Sequence, residues 1–322
     1  MKLISVVTPC YNEEKNVEEV YTQVRQVFDK LTGYTYEHIF IDNASKDNTV
    51  SILKRLAEQD KNVKIIVNAR NFGHIRSPYY AILQASGEAV ISIVADLQDP
   101  TSMIPGFIRK WEEGYKVVLG VKVSSGESFL MFNIRKMYYN FINSVSEIEL
   151  TKNNTGFGLY DQRIIEILKQ VDDPYPYFRG LISDIGFESY KIEYKQPARK
   201  RGITKNNFYT LYDIAMLGIT NHSKLPLRLA AMSGFALSAL SFLIALIYFI
   251  FKIINWNSFT LGLAPVVIGL FFFSSVQLLF IGIIGEYIGS IHTQVLKRPL
   301  VIERERINFE IQQGCEAKKS VS

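Results

Sequence analysis

The residues best suited to chemistry in this chain fall in four short segments, each closing a run of apolar residues. They are Pro9-Cys10-Tyr11-Asn12-Glu13, Asp42-Asn43, Asn68-Ala69-Arg70-Asn71-Phe72-Gly73 and Val94-Ala95-Asp96-Leu97-Gln98-Asp99-Pro100. Carboxylates at a strand end can hold a divalent ion, and Mg2+ or Mn2+ takes oxygen ligands shared between carboxylates and substrate phosphates. Asp96 and Gln98 stand two apart, so both can reach one ion, and Asp99 is a third candidate ligand. Asp99-Pro100 also has the form of a helix start, with Asp as N-cap and Pro in the first turn. No glycine loop of the Walker or dinucleotide type is present, so a nucleotide would be held by strand-end side chains and a metal. The histidines (His38, His74, His222, His292) lack zinc-like spacing. His38 reads as a strand residue with a core or surface role and His74 lies beside the proposed cleft. No Ser/His/Asp triad can be assembled.

The elements that position these segments follow from hydrophobic periodicity. Leu3–Thr8 is an apolar, β-branched run of the kind found in parallel strands buried on both faces. Strands are expected at Glu37–Ile41, Val63–Val67, Ala89–Ala95 and Val117–Val121, and helices at Glu14–Leu31, Asp47–Ala57, Ser77–Ala85 and Met103–Glu113. Asp47 is placed to cap the second helix. This βαβα alternation predicts an open, mostly parallel α/β sheet flanked by helices, whose ligands bind beyond the carboxyl ends of the strands. The four polar segments all lie there. Residues 129–145 and 207–221 are amphipathic helix candidates suited to a membrane interface.

Hydropathy divides the chain sharply. Leu229–Phe251 and Phe259–Gly285 carry no charge, and each exceeds the roughly 20 residues that cross a hydrocarbon core. Lys224 and Arg228 precede the first run, Lys297 and Arg298 follow the second, and Lys252 alone lies between. This bias predicts a transmembrane hairpin with both outer ends in the cytosol. No secretory signal opens the chain, and its two cysteines, Cys10 and Cys315, imply neither a disulfide framework nor a zinc site. The expected organisation is a cytosolic domain over 1–205, an amphipathic juxtamembrane segment over 206–226, two membrane helices within 227–292 and a charged cytosolic tail over 293–322. The net charge of +5 arises largely near the membrane, at Lys191, Lys195, Arg199, Lys200, Arg201 and Lys205. That placement suits lipid head groups or a phosphate ligand, and no nucleic-acid motif accompanies it. Gly234, Ser238, Ala239 and Ala245 would let apolar helices pack closely, which is compatible with homo-oligomers.

Val6-Val7-Thr8-Pro9-Cys10-Tyr11-Asn12-Glu13-Glu14 resembles the opening signature of family 2 inverting glycosyltransferases. Ile41-Asp42-Asn43-Ala44-Ser45 is similar to that family's second acidic motif, with Asn43-Ala44 in place of the usual Asp-Gly. Arg70-Asn71-Phe72-Gly73-His74 and Ala95-Asp96-Leu97-Gln98-Asp99-Pro100 resemble its polyprenyl-phosphate branch, the relatives of dolichol-phosphate mannose synthase. Gly285-Glu286-Tyr287-Ile288-Gly289 and Lys297-Arg298-Pro299 are similar to bacterial bactoprenol glucosyltransferases. The resemblance implies a GT-A-like domain whose nucleotide pocket is lined by Pro9, Tyr11, Asn12, Glu13, Asp42, Asn71, Gly73 and Asp96. It implies Mg2+ or Mn2+ held by Asp96 and Gln98, with Asp99 as a substitute ligand. Arg179, Arg199, Arg201 and Lys205 would meet phosphates of the acceptor, and Asp96, Arg135 and Lys205 would serve catalysis.

Two departures from the family pattern stand out. Val94 occupies the position two before Asp96 where relatives carry an acid, and Asn153-Asn154-Thr155-Gly156-Phe157-Gly158-Leu159 offers no carboxylate before Asp161. A polyprenyl phosphate is already anionic at neutral pH, so such a nucleophile needs positioning more than deprotonation. The implied reaction moves one hexose, UDP-glucose being the expected donor, to undecaprenyl phosphate on the cytosolic face of a bacterial inner membrane. A processive polysaccharide synthase is a rival, but neither Trp111 nor Trp256 lies in its Gln-x-x-Arg-Trp motif. A non-catalytic scaffold that binds nucleotide without turnover is another.

Overall fold

The computed structural model describes residues 1–123, 151, 153–197, 216, 220, 223, 225–254 and 263–309. The two amphipathic candidates, save Met216 and Thr220, lie outside these residues, as do Arg135, Arg199, Arg201 and Lys205. The chain divides into two units, one comprising Met1–Lys136, Leu150–Asn206 and Lys297–Ser322, the other Met137–Glu149 and Asn207–Leu296.

The first unit is built on an eight-stranded sheet in the order β7-β5-β6-β4-β1-β2-β3-β8. The strands are β1 (Lys2–Cys10), β2 (Tyr34–Asp42), β3 (Val63–Asn68), β4 (Ala89–Ser92), β5 (Val117–Lys122), β6 (Asn154–Asp161), β7 (Ser189–Tyr194) and β8 (Glu303–Ile307). β4, β1, β2 and β3 are parallel neighbours, whereas β6 runs antiparallel between β4 and β5, and β8 runs antiparallel to β3. The β1–β2 register pairs Thr8 with Phe40 and Cys10 with Asp42. Pairing therefore continues past the apolar run and carries the polar residues at both strand ends to one edge of the sheet.

Alternation along the strands sends side chains to two cores. On one face Ile4, Val6, Phe40 and Ile65 pack with α1 (Val17–Phe28), α2 (Thr49–Gln59) and α4 (Ile104–Glu112); the other face packs Val7, Ile39 and Ile41 with α3 (Gly73–Leu83), α5 (Gln162–Gln170) and α6 (Phe178–Ile185). Both faces are covered, which explains why β1–β3 read as continuous apolar runs. His38 is fully buried, with Nε2 2.9 Å from the Thr8 hydroxyl, and burial pushes its pKa down to about 3. It is a neutral core residue rather than a surface one.

The base of the sheet holds a buried carboxylate. Glu37, 3% exposed, accepts from Ser5 Oγ at 2.5 Å, Ser86 N at 2.8 Å and Lys64 Nζ at 2.5 Å. Burial pushes its pKa up, but the Lys64, Ser5 and Ser86 donors outweigh it and hold the group below its ordinary 4.5. A depressed acid adds stability above its unfolded pKa and loses it as pH falls through the folded one. Glu37→Gln is therefore expected to cost about 2 kcal/mol at pH 7, less than a fully buried broken pair because Lys64 retains some solvent. The gap from wild type should close as pH drops below about 4 in urea unfolding.

The second unit contains α7 (Leu225–Ile254) and α8 (Leu263–Val295). Each includes a 27-residue stretch long and apolar enough to cross a membrane, and neither stretch is buried within the protein. Phe235, Phe271 and Leu278 are 77%, 70% and 68% exposed. Side chains of that size left bare along whole helices mark an interaction surface. The described part of α8 runs from Leu263 and continues through Glu286 and His292.

Candidate functional site

The four polar segments meet at the carboxyl edge of β4, β1, β2 and β3, where the turns are strained. Asn12, Ala44, Leu97 and Asn153 all have positive φ, at 54°, 62°, 61° and 58°. A left-handed conformation costs an L-residue roughly 1–2 kcal/mol, and such outliers persist only when their surroundings over-determine them. The neighbours of these residues supply that constraint. Asn12 N–H donates to Ser45 Oγ at 2.8 Å, while Lys46 N–H donates back to Asn12 Oδ1 at 2.8 Å. Leu97 is buried in the core on the α1 and α4 face, and this apolar contact offsets its strained backbone. The turn it forms leaves Asp96 and Gln98 half-buried on either side. Ala44 makes no comparable anchor, so Ala44→Gly is expected to raise stability by up to about 1 kcal/mol in thermal unfolding.

Asn43 is the hub of the rim. Its Nδ2 donates to Asn71 Oδ1 and to the Gly73 carbonyl, both at 3.0 Å, and its Oδ1 accepts from Asn68 Nδ2 at 3.1 Å and Phe72 N–H at 2.8 Å. Beside it Asp42 is fully buried. Asp42 Oδ1 accepts from Ser45 N–H at 2.9 Å, but Oδ2 is buried without a partner. Burial raises the Asp42 pKa, and the Ser45 donors only partly counter it. Pro9, Tyr11 and Glu13 stand half-buried on the β1 side of this edge, and Glu13 Oε2 accepts from Asn16 Nδ2 at 2.7 Å. Of the expected nucleotide residues, Asn12 and Asp42 meet at Ser45, while Asn71 and Gly73 meet at Asn43. Asn43 and Asn68 stand out in the sequence only as polar residues where apolar strands end, and Ser77, which accepts from Asn68 Nδ2 at 3.0 Å from within α3, carries no sequence signal.

The three expected metal ligands part company. Asp96 Oδ1 accepts from Gln98 N–H at 3.1 Å, and both side chains remain partly accessible. Asp99 turns inward: it is 4% exposed, accepts from Val94 N–H and the Tyr194 hydroxyl, both at 3.2 Å, and burial lifts its pKa to about 6. It does not cap the following helix, whose N-cap position is Met103. Among the described residues no group of three or more His, Cys, Asp or Glu could enclose an ion. The arrangement fits a single-carboxylate site at Asp96, of the kind Mg2+ uses when substrate phosphates complete its shell.

The antiparallel strand β6 brings its first residues to the same edge. Arg179, at the start of α6, donates to the Asn154 carbonyl at 2.9 Å and lies 5.2 Å from the Tyr177 ring centroid. Asp161, at the far end of β6, accepts from Trp111 Nε1 at 2.7 Å and Lys116 Nζ at 2.9 Å and caps α5 through Arg163 N–H. It stands opposite the rim and is fully engaged. Cys10, 3% exposed with its thiol pKa raised by burial, is no nucleophile either.

An open sheet with acidic and amide side chains over its parallel strand ends is a framework suited to holding a polar ligand there, as in α/β enzymes. The sequence pattern of Glycosyl transferase family 2 matches residues 5–167, half of the chain, and the chain belongs to that family. It is 35% identical over 307 residues to the glycosyltransferase YkcC of Bacillus subtilis (strain 168), covering 95% of this chain and 94% of that one. It is 34% identical over 300 residues to the SfII prophage-derived bactoprenol glucosyl transferase of Shigella flexneri, covering 93% and 96%. Glucosyl-3-phosphoglycerate synthase of Mycobacterium tuberculosis is similar at a TM-score of 0.48 and 16% identity, over 68% of this chain and 76% of that one.

Proposed function

We propose that the chain transfers a single hexose, glucose from UDP-glucose in the simplest case, to undecaprenyl phosphate at the cytosolic face of a bacterial inner membrane. The observation that carries this reading is a polar rim holding a partly accessible carboxylate, Asp96, and an orphaned carboxylate oxygen, Asp42 Oδ2, in a chain that also has two bare apolar helices. The bactoprenol glucosyl transferases among its relatives, matched over nearly their full length, support the acceptor and the sugar.

In this reading Asp42 Oδ2 accepts a hydrogen bond from the nucleotide base or ribose, relieving its burial without a partner. The Asn12–Ser45 and Asn43–Asn71 contacts fix the loops around that nucleotide. Asp96 and Gln98 hold Mg2+ or Mn2+, which when bound neutralises charge on the nucleoside diphosphate. Arg179, with Arg135, Arg199, Arg201 and Lys205, aligns the acceptor phosphate, whose oxygen attacks the anomeric carbon as the nucleoside diphosphate leaves. A single in-line displacement inverts that centre. The acceptor is anionic at the outset, so its attack needs no general base; Asp161 and Asp99 are both engaged elsewhere.

The test is transfer in detergent with undecaprenyl phosphate, Mg2+ or Mn2+ and a panel of radiolabelled nucleotide sugars. Lipid-linked label from one donor, sensitive to chelation, is the expected result. Val94, an apolar residue two before Asp96, favours the alternative of a nucleotide-binding scaffold. Bound UDP with no label from any donor would establish that alternative instead.

A further inference from the structure

At the β3 end of the rim, the loop leaving β3 and the first turn of α3 bring two guanidinium groups onto Phe72, and the segment after α8 adds Arg298 beside them. The Arg70 guanidinium lies 4.0 Å from the Phe72 ring centroid, and that of Arg76, in the first turn of α3, lies 5.5 Å from the same ring. Phe72 is 6% exposed, so its ring is a fixed platform. Arg76 Nη2 donates to the Pro299 carbonyl, which holds the chain around Arg298 against α3. The Arg76 pKa is lowered first by burial and then by the charges of Arg70 and Arg298, with the Tyr175 hydroxyl acting in the other direction. Arg76 Nε is buried without a hydrogen-bond partner, while Arg70 and Arg298 are exposed. Lys297 is engaged by Asp172 at 2.9 Å, and Arg298 beside it is exposed.

Gathering three like charges is unfavourable in the free protein, and a donor left without an acceptor adds to that cost. An anion would offset both. The planar guanidinium fork matches phosphate oxygens in pairs, which makes phosphate the fitting ligand class. Its source follows from chain continuity. Arg298 is three residues beyond Val295, where α8 ends, and an extended chain spans roughly 11 Å over that distance. With α8 across a bilayer, that reach ends among the head groups.

We propose that Arg70, Arg76 and Arg298, at the β3 end of the rim, form a binding site for the phosphate of an anionic phospholipid head group. The site rests on the membrane reading of α8 given above.

The experiment uses the full chain in detergent and follows its thermal unfolding against short-chain phosphatidylglycerol, with short-chain phosphatidylcholine and inorganic phosphate in parallel. Phosphatidylglycerol should stabilise the wild type at lower concentration than phosphatidylcholine. Arg298→Gln, and Arg70→Gln with Arg298→Gln, should weaken that response about fivefold per arginine, the worth of one cation near an anionic surface. Both side chains are exposed, so these variants should fold, and Arg109→Gln on α4 should respond as wild type. An undiminished preference for phosphatidylglycerol in the double variant overturns the proposal. Equal response to the two lipids overturns it as well, and inorganic phosphate reproducing the whole effect overturns the head-group source. Carbonate extraction of membranes separates the two readings. Release of the chain overturns membrane anchoring and this site with it, whereas retention without lipid preference overturns the site alone.

Discussion

Asp96→Ala is expected to lower sugar transfer by at least about a hundredfold, the scale of loss when a preorganised electrostatic contact to developing charge is deleted. The fold should tolerate the change. Asp96 is half-buried, and its contact with Gln98 N–H at 3.1 Å is worth about 1 kcal/mol or less at such exposure. Thermal unfolding should therefore be nearly unchanged while kcat and kcat/KM fall together, the pattern of an interaction made mainly in the transition state. Gln98→Ala should produce a smaller loss in the same direction. Val94→Asp supplies the converse test, because Val94 is 36% exposed and stands two residues before Asp96. A second carboxylate there should lower the cation concentration needed for half-maximal transfer. Near wild-type transfer by Asp96→Ala in a folded protein would remove Asp96 from the reaction.

The parallel half of the sheet was legible because its strands are buried on both faces and its helices carry apolar residues at helical spacing. Boundaries moved where tertiary pairing outran the local pattern. β1 extends to Cys10 because its backbone pairs with Asp42, and α3 starts at Gly73 rather than Ser77 because Asn43 and Asn71 fix the turn before it. β6 gave no clear signal. Its glycines lower strand propensity, yet Gly158 is required, since a Cβ there would lie 2.4 Å from the Val118 carbonyl. The segment beginning at Glu303 reads as a charged tail, but it supplies β8, whose alternating Glu and Arg suit an edge strand open to water. In the site, Asp42 and Asp96 could be singled out from type and position. The inward turn of Asp99 could not, because it depends on Tyr194 from a strand ninety-five residues away. A left-handed leucine at position 97 runs against local propensity, and only the core beneath it makes that turn stable.

The second large effect is expected at Asn43, where the primary readout is stability. Asn43→Ala removes two donors and two acceptors from a side chain only 7% exposed. It leaves the Phe72 N–H and Asn68 Nδ2 without their acceptor and the Gly73 carbonyl without its donor. At about 1–3 kcal/mol for each buried group left unpaired, with some relaxation, the loss should be about 3–4 kcal/mol. That is a large part of the margin of an ordinary domain. Weaker UDP binding should accompany it, since the same amide holds Asn71 and Gly73, expected to line the nucleotide pocket. Asn43→Asp separates hydrogen bonding from shape. It keeps both acceptor contacts but sets carboxylate oxygens against Asn71 Oδ1 and the Gly73 carbonyl, next to a buried Asp42 whose own pKa is already raised. The new carboxyl would therefore titrate above its unfolded value. By linkage its penalty is fullest above the folded pKa and shrinks as pH falls, because a protonated carboxyl can again donate. Unfolding of Asn43→Asp and wild type should thus converge between pH 8 and about pH 5, whereas the deficit of Asn43→Ala should stay constant. A deficit in Asn43→Ala with none in Asn43→Asp at any pH would mean that side-chain volume, not the donor pair, is what the rim requires at this position.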